Sequence, residues 1–569
     1  MNKKIFHTIL LVIVFILSAC QPAAPATEAP QAEVAATEVP EAEAPAATEA
    51  PAAEATAPEA PAEEMEKNLI VAIPGEIESL DVHQLQAPRS WSVAFALYGM
   101  GFNWGYETDA ATGLTYANTD YTPGLIESWE KRTEGDQVVY TQKVRQGCKF
   151  ESGNELTSKD FQYRTERMQA LRPWNNTVWG CNKGKDCIKI IDDYTFEYWI
   201  DAPNPLTDVG MRELNMMIVD SELLKTKATT EDPWAHEYLR LNGLGIGAYR
   251  IESSTPGVEM ILAKNEDYCA PENMQGYFDK IILKVIPDAS QQKLLLEKGE
   301  IDIAPELPAK EMLDLKGKPG LNLMGFNSSS GVFLGLNNTI EPYNNTAVRQ
   351  ALAYAVPYQD IMDAVYFGQA QPAAGLITTG TVGGSDIGWV YEYDPEKAKQ
   401  MLADAGYPNG FDMDLVIDMS QAEWEESAVL IQDSFSKIGV NVNIVKESSA
   451  AYQEKLKKKE LPAFIYAMLS WTNDVGYSFD MIWSPWGFGD YPNYDNKELQ
   501  AQVKEAWTEM DPAPRFPMYP PMIEILNTDV PAVILLQPKN LVSMRDSLEG
   551  YVKYDDELPR YYEMRRVEE

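Results

Sequence analysis

The chain has 569 residues, of which 86 are acidic and 47 basic, and its formal net charge is −39. This balance argues against a nucleic-acid partner, whose phosphates need Lys and Arg, and against a basic face that would hold anionic lipids. Apolar residues make up 45% of the chain, which at this length predicts a globular protein with two or more packed units.

The first twenty residues predict an export signal that ends at a lipidated cysteine. Lys3 and Lys4 precede an apolar run over 9–17 that is too short to span a bilayer. Leu-Ser-Ala-Cys at 17–20 looks like a bacterial lipobox, whose cysteine becomes the N-terminus and carries acyl chains. We expect a signal peptide over 1–19 and a lipid on Cys20, which anchors the protein at the cell surface or the periplasmic face of a membrane. An ordinary cleavage site beside a chance cysteine is the alternative.

The segment that follows predicts a tether. Apart from Cys20, residues 20–66 are almost wholly Ala, Pro, Glu and Thr and include no Lys or Arg. Such a composition cannot bury enough apolar surface to offset the entropy of ordering. We therefore expect a disordered linker, kept extended by proline and like charges, that holds the folded part off the membrane.

From residue 68 onward the hydrophobic pattern alternates between strands and helices. A buried run at 69–73 predicts the first strand. Two strand–helix–strand units follow, one with strands at 280–286 and 301–304 around a helix at 290–298, the other with strands at 411–417 and 440–444 around a helix at 421–437. A further helix is predicted from Asp394-Pro395 to Ala405. The pattern is typical of an α/β protein.

Four cysteines lie beyond the lipobox, and an even number in an exported chain suggests disulfides. Cys181 and Cys187 enclose a short polar loop and are the expected pair; a bridge between Cys148 and Cys269 stays open. A zinc site is the weaker alternative, because no cysteine pair has zinc-ligand spacing and few histidines are available. We expect no metal and no other cofactor.

Catalytic patterns are absent from the sequence. There is no His-Glu-x-x-His, no phosphate-binding Gly-Lys-Ser/Thr loop and no Gly-x-Ser-x-Gly. His83 and His236 are the only histidines after the lipobox, so there is little material for a general base. We expect that the protein is not an enzyme. A surface hydrolase and a pure adhesion or scaffold lipoprotein are the competing hypotheses.

One segment indicates a ligand site. The apolar run at 463–469 predicts a buried strand, and Trp471 and Asp474 follow directly after it. Open α/β sheets bind ligands beyond the carboxyl ends of their strands, where an acid could pair with an ammonium group and an indole could add apolar contact. From the local sequence alone, a solvated turn acid beside a core tryptophan is the preferred interpretation.

Several motifs in the same order resemble the family 5 solute-binding proteins of ABC importers, which include oligopeptide- and dipeptide-binding proteins. The resemblance covers residues 68 to 567, nearly the whole folded part. The motifs are Ser-Leu-Asp at 79–81, Pro-Gly-Leu-Ile-Glu-Ser-Trp at 123–129, Val-Arg-Gln-Gly at 144–147, Gly-Glu-Ile-Asp-Ile at 299–303 and Val-Arg-Gln-Ala-Leu at 348–352.

The resemblance implies a two-lobed periplasmic-binding-protein fold of type II, cluster C-like, with an extra subdomain on lobe one. Carried over to this chain, lobe one comprises 67–90, 236–326 and 540–569. The extra subdomain is 91–235 and lobe two is 327–539. The ligand would lie between the lobes, which close around it as a hinge.

The resemblance also implies a peptide ligand. Trp471-Thr472-Asn473-Asp474 matches a family motif in which the aspartate pairs with the α-ammonium of a peptide, although the Asp-Pro that follows in the family is missing here. The implied partners are a peptide and the permease subunits of an ABC importer, and we expect a monomer. Because some family members stack sugars on tryptophan, an oligosaccharide is the alternative ligand, with Trp91, Trp104, Trp483 and Trp486 as further candidates for contact.

Overall fold

The computed structural model describes residues 67–85, 88–172, 176, 178–271, 274–373, 375–384 and 387–567. The predicted signal peptide, Cys20 and the linker lie outside the described residues. Among the described residues, no helix is long and apolar enough to cross a membrane.

Strands and helices alternate along most of the described chain. The strands are β1 Asn68–Ile73, β2 Phe102–Thr108, β3 Thr115–Pro123, β4 Ile126–Glu134, β5 Gln137–Val144, β6 Ile188–Asp192, β7 Thr195–Ile200, β8 Tyr249–Thr255, β9 Glu259–Lys264, β10 Lys280–Val285, β11 Leu321–Asn327, β12 Ser330–Leu336, β13 Ala370–Gln371, β14 Asp412–Asp418, β15 Asn441–Glu447, β16 Ala463–Leu469, β17 Ala532–Arg545, β18 Leu548–Glu549, β19 Val552–Lys553 and β20 Arg565–Arg566. The helices are α1 Pro88–Leu97, α2 Ser158–Leu171, α3 Thr207–Leu214, α4 Ser221–Lys227, α5 His236–Leu241, α6 Ala289–Lys298, α7 Ala309–Asp314, α8 Thr346–Ala355, α9 Tyr358–Asp360, α10 Pro395–Asp404, α11 Ala422–Lys437, α12 Ser449–Lys457, α13 Val475–Met481, α14 Lys497–Ala506, α15 Pro512–Arg515 and α16 Tyr519–Asp529.

The first large sheet has the order β1-β10-β9-β8, and β1 and β10 run parallel. Asp288 caps α6 after β10, and Gly299 ends that helix in the left-handed conformation, which costs glycine little. The strand predicted at 301–304 is wrong: only Ile303 pairs, in isolated bridges to Val71 and Met544. The segment lies between β1 and β17, where the Ala72 N–H donates to the carbonyl of Ile303 at 3.0 Å and the Arg545 N–H to that of Asp302 at 2.8 Å, but it forms too few pairs to count as a strand.

The second large sheet has the order β11-β17-β12-β16-β14-β15. Its β14 and β15 are parallel neighbours connected through α11, so the predicted strand–helix–strand unit is confirmed within three residues at each end. Pro395 occupies the first turn of α10 and Asp394 caps it, as the sequence predicts. These strands and helices pack against one another around one buried apolar cluster that includes Leu415 and Ile465.

The long strand β17 connects the two halves of the molecule. Its first half pairs with β12 and its second half, from Lys539 onward, pairs with β11. Between them the buried Gln537 side chain donates to the carbonyl of Ser328 at 2.6 Å and accepts the N–H of Thr379 at 2.9 Å. We call the part around the first sheet lobe one and the part around β12, β16, β14 and β15 lobe two.

The region between α1 and α5 contains the sheet β4-β5-β7-β6, which the sequence assigns to the extra subdomain. Disulfides join Cys181 to Cys187 and Cys148 to Cys269. The second of these ties the region to the segment after β9. The predicted domain limits are not fixed by these contacts; three of them fall inside continuous elements, namely α1, β11 and β17.

A buried ion cluster also joins this region to lobe one. Arg167 of α2 donates to both carboxylate oxygens of Asp81 at 2.6 Å, and both side chains are fully buried. His236 Nδ1 lies 2.7 Å from the same carboxylate, and His83 Nδ1 lies 2.9 Å from Arg167. The Ser-Leu-Asp motif therefore has a structural role here, since its aspartate compensates a buried guanidinium.

Candidate functional site

The segment that follows β16 lies where the two lobes meet. The backbone N–H of Ser470 donates to Ser329, at the turn between β11 and β12, at 3.3 Å. The Ser470 hydroxyl donates to the carbonyl of Thr472 at 2.6 Å, and the Thr472 side chain is buried. This tight turn leaves Trp471 the exposed member of the segment, with 44% of its surface accessible.

Trp471 contacts an aromatic side chain from the other lobe. Its ring centroid lies 6.2 Å from that of Trp91 on α1, and the rings are tilted by 59°. Trp91 in turn lies 6.1 Å from Phe95 on the same helix. Aromatic pairs at such separations attract each other through their quadrupoles beyond simple area burial. The two tryptophans thus form a contact across the seam between the lobes.

Asp474 has a more specific environment than a solvated turn acid. It caps α13, and its Oδ1 accepts the backbone N–H of Gly476 at 2.7 Å. Its Oδ2 accepts from Arg515 Nη2 at 3.1 Å, and the side chains are 13% and 4% exposed respectively. Burial raises the pKa of Asp474, while the charge of Arg515 and the Gly476 N–H oppose that rise. The aspartate is therefore a partly buried acid that already has one cation.

The remaining member of the motif, Asn473, holds a neighbouring loop. Its Oδ1 accepts the backbone N–H of Val382 at 3.0 Å, and the N–H of Val475 donates to the carbonyl of Val382 at 2.9 Å. Of the four motif residues, Trp471 and Asp474 thus present side chains with binding potential, whereas Thr472 and Asn473 shape the turn.

The C-terminal segment of lobe one reaches the seam as well. Glu557 Oε1 accepts from the Ser328 hydroxyl and from the Ser329 N–H, both at 2.6 Å, and Lys553 donates to the Ser329 hydroxyl at 2.5 Å. Burial raises the pKa of Glu557. It raises the pKa of Asp555 to about 6, against the opposing charges of Lys553 and Arg212. The sequence analysis did not identify Lys553, Asp555 and Glu557, because no local motif distinguishes them from other charged residues.

A cluster of aromatic side chains and one arginine extends from α1 to the C-terminal segment of lobe one. Arg560 is buried against Phe95, with its guanidinium carbon 3.3 Å from the ring centroid, and pairs with Asp556 at 2.5 Å. Trp104 lies edge-on to Phe95 at 6.5 Å and to Tyr554 at 5.3 Å. Phe95, Trp104, Tyr554 and Arg560 are all buried, so this cluster belongs to the core behind the seam.

The two tryptophan candidates in lobe two, Trp483 and Trp486, already donate hydrogen bonds within the protein. Trp483 is buried and donates its indole N–H to the carbonyl of Leu376 at 3.2 Å. Trp486 is half-exposed and donates to Asp480 at 2.7 Å, with Lys504 over its ring. Within the described ranges, no group of His, Cys, Asp and Glu could hold a metal ion.

Comparison with known proteins gives one family and many relatives. The family described as bacterial extracellular solute-binding proteins, family 5 middle, matches residues 120–490. Heme-binding protein A of Haemophilus influenzae is 26% identical, covering 82% of this chain and 88% of its own. The dipeptide-binding protein of Escherichia coli is also 26% identical, covering 76% and 84%.

Solved structures share the fold over nearly the whole molecule. A periplasmic binding protein of Helicobacter pylori in complex with the peptide STSA superposes with a TM-score of 0.73 at 23% identity, covering 88% of this chain and 98% of its own. A dipeptide-binding protein of Pseudoalteromonas in complex with Met-Leu gives 0.74 at 18% identity, covering 88% and 100%. The predicted two-lobed α/β fold of type II is confirmed.

Proposed function

Because the chain belongs to the bacterial extracellular solute-binding proteins of family 5, we propose that it is the extracytoplasmic binding component of an ABC importer. It captures a di- or oligopeptide between its lobes and delivers the peptide to the permease. Relatives that are named for dipeptides, and structural neighbours with bound peptides, support this proposal. The observation that carries it is the Trp471–Asp474 segment at the carboxyl end of β16, facing Trp91 of the other lobe.

Binding in this proposal begins with the charged end of the peptide. Asp474 is oriented by the Gly476 N–H and by Arg515, and a carboxylate has more lone pairs than these two bonds use. An α-ammonium that joined it would form a charge-assisted hydrogen bond in a poorly hydrated place. Arg515 then serves to keep the carboxylate ionised before the ligand arrives, since burial alone favours the neutral form.

Closure completes the site. The lobes are connected by the turn between β11 and β12 and by β17, and Gln537 bonds to the first of these. We place the hinge there, with lobe two rotating against lobe one. The Trp91–Trp471 contact would form on closing, exclude water and help to present a closed surface to the permease, while the Glu557–Ser329 bond holds the hinge turn to lobe one.

The chain's part in transport needs no catalytic group, and its relatives are binding proteins. We propose that it binds its ligand unchanged as a monomer, while a separate cytoplasmic subunit hydrolyses ATP. We further propose that the lipid on Cys20 and the linker at 20–66 tether the folded part near the permease.

Native mass spectrometry of the chain from residue 21 onward, purified without denaturation, tests this function. Retained ligand should appear as adducts at di- to oligopeptide masses, which vanish after unfolding and refolding. Adducts spaced by hexose units would move the assignment to an oligosaccharide and would remove the role of Asp474.

A further inference from the structure

A cavity of about 450 Å³ opens on the surface of the extra subdomain. Its walls include charged and aromatic side chains from β3, β4, β5 and α3, namely Asp120, Tyr121, Trp129, Lys131, Tyr140 and Asp208. Of the described residues, none in the Trp471–Asp474 segment lines it, and neither does Trp91. The cavity is therefore separate from the candidate peptide site.

Aromatic rings form the floor of this cavity. The centroids of the Tyr121 and Trp129 rings lie 5.2 Å apart, and the rings are tilted by 35°. Both rings pack against the buried Phe102, whose centroid lies 5.0 Å from each of theirs. Tyr140 reaches the same side of the sheet, because it pairs across the strands with Lys131, two residues from Trp129. Packing thus fixes the planes of the rings before a ligand arrives.

A β-bulge places Asp120 at the edge of the cavity. Residues 118–120 of β3 stand opposite the single residue Gly105 of β2, and the Asn118 side chain accepts the backbone N–H of Asp120 at 3.0 Å. A Cβ at position 105 would lie 2.5 Å from Asn118 Oδ1 and 3.0 Å from Asp120 Cβ, so the bulge needs a glycine there. Bulges re-aim side chains. Here the exposed Asp120 carboxylate has no ion pair or hydrogen bond with the residues that the structure describes.

Asp208 of α3 supplies a second carboxylate, and its position is fixed by hydrogen bonds. Its two oxygens accept from Lys131 Nζ at 2.7 and 2.9 Å, and Oδ1 also accepts from the Tyr140 hydroxyl. Burial raises the pKa of Tyr121 to about 12, and the charge of Asp208 adds to that rise. The same two causes raise the pKa of Tyr140. The negative charge of Asp208 therefore acts on two of the rings.

The charged groups that line the cavity carry one more negative than positive charge, since two aspartates face one lysine. One further cation acts on it: the buried Arg212 opposes the rise in the pKa of Tyr121. The charge of Arg212 is offset by Glu213, 3.5 Å from its Nε, and by Asp555, on which it also acts. Arg132 of β4 points to the other face of the sheet and pairs with Glu197 at 2.8 Å. The cavity therefore keeps its negative charge.

We propose that this cavity binds a small organic cation that carries an alkylated ammonium group, such as a trimethylammonium compound. The cationic head lies over the faces of Trp129 and Tyr121, and Asp120 provides the counter-charge. This site goes beyond peptide capture and does not depend on it, because it shares no side chain with the candidate peptide site.

The chemistry of the cavity fits such a cation better than a neutral or anionic ligand. Aromatic faces attract cations through the negative charge of their π-systems, most strongly for tryptophan. The protein already contains one example here, since Lys131 Nζ lies 5.7 Å from the ring centroid of Tyr140. An alkylated ammonium group has few or no N–H donors, so it leaves little unsatisfied against a ring. Asp120 adds an attraction that a neutral ligand lacks and that becomes a repulsion for an anion.

Calorimetry on the chain from residue 21 onward tests the site, with choline as the probe and neohexanol, its uncharged carbon analogue, as the reference. For the wild type, choline should bind about 10-fold more tightly than neohexanol, as expected for a cation on aromatic faces beside a carboxylate. Equal affinity of the two compounds would overturn the proposal, because apolar burial alone would then explain the binding. Absence of choline binding would also overturn it and would leave peptide capture standing.

Two variants locate the binding. Trp129→Leu keeps an apolar contact with Phe102 but removes the aromatic face, so the affinity for choline should fall by about 10-fold. Asp120→Asn removes only the charge of an exposed side chain, so it should weaken choline by about 2-fold to 5-fold and leave neohexanol unchanged. Trp199→Leu is the matched control and should keep the wild-type affinity for choline. Trp199 lies on the other face of the same sheet, with Lys189 Nζ 3.3 Å from its ring centroid.

Peptide affinity separates this site from the proposed function. Trp129→Leu and Asp120→Asn should bind free peptides as the wild type does, which also shows that they are folded. A parallel loss of peptide affinity in both variants would overturn the separation of the two sites. Unchanged choline affinity in both would place the binding elsewhere and overturn the proposal.

Sedimentation with phosphatidylcholine vesicles distinguishes two sources of the cation. Co-sedimentation that Trp129→Leu abolishes would assign the cation to a lipid head group. Choline binding without co-sedimentation would assign it to a free solute.

Discussion

Removal of the Asp474 side chain should destabilise lobe two before any ligand is considered. Asp474→Ala leaves Arg515, which is 4% exposed, as a buried charge without its carboxylate. Breaking a buried pair in this way costs about 3–5 kcal/mol, because the desolvated cation stays behind. The same change removes the cap of α13, which adds about 1 kcal/mol.

Asp474→Asn separates the two contributions. Asparagine is as good a cap as aspartate, and its one side-chain oxygen can still accept the Gly476 N–H, but its NH2 group then faces Arg515 in place of Oδ2. We expect a loss of about 3–5 kcal/mol, which is the contribution of the buried pair without that of the cap. The double variant Asp474→Ala/Arg515→Leu should recover much of the stability, since it removes both partners of the pair.

Urea unfolding of the chain from residue 21 onward, followed by circular dichroism, measures these differences. Glu454→Ala is the control, because Glu454 pairs with Lys458 on the surface of α12 and should change the free energy of unfolding by less than about 0.5 kcal/mol. If Asp474→Ala were no less stable than that control, the buried pair would not exist and the reasoning would be refuted. For peptide affinity, Asp474→Ala should cost about 2–5 kcal/mol by calorimetry.

Three further predictions concern pH, a disulfide and the seam. Burial and the charges of nearby arginines hold the pKa of His83 well below its usual value. As the pH falls, His83 is therefore protonated in the unfolded state before it is protonated in the folded state. Stability should therefore fall by up to about 1.4 kcal/mol per pH unit below about pH 6.5, and His83→Gln should flatten this dependence in urea unfolding. Replacing Cys148 and Cys269 by serine opens a loop with a sequence separation of 121. This should cost about 5 kcal/mol in denaturant unfolding under oxidising conditions, and a cost below that of a surface substitution would contradict it. Alanine at Trp91 and at Trp471 should show a coupling of about 0.5–1.5 kcal/mol in peptide affinity; additive effects would mean that the rings do not meet in the bound state.

Much of the local structure follows from sequence periodicity. The strand predicted at 411–417 is Asp412–Asp418, and the helix predicted at 421–437 is Ala422–Lys437. Proline, glycine and capping side chains mark such ends chemically, so they can be read without tertiary knowledge. The prediction at 301–304 fails because a short apolar run does not reveal whether a neighbouring strand runs alongside it.

Only part of the candidate site could be predicted from the sequence. The Trp471–Asp474 segment could be found because a family motif marks it, and its ligand role stays a prediction. Arg515 could not be found, since it lies 41 residues from Asp474 in a short proline-flanked helix with no pattern of its own. Glu557 is 229 residues from Ser328, and only the fold brings them together. Long-range pairs of this kind depend on how the lobes pack, which no local period encodes.

Titration calorimetry of the wild-type chain from residue 21 onward tests the central claim most directly. The ligands are free di- to tetrapeptides, their N-acetylated forms, and malto- and cello-oligosaccharides. We predict saturable binding of free peptides, a marked loss of affinity on N-acetylation, and no binding heat from the sugars. Binding of an oligosaccharide together with no binding of any peptide would contradict the claim that the protein captures peptides.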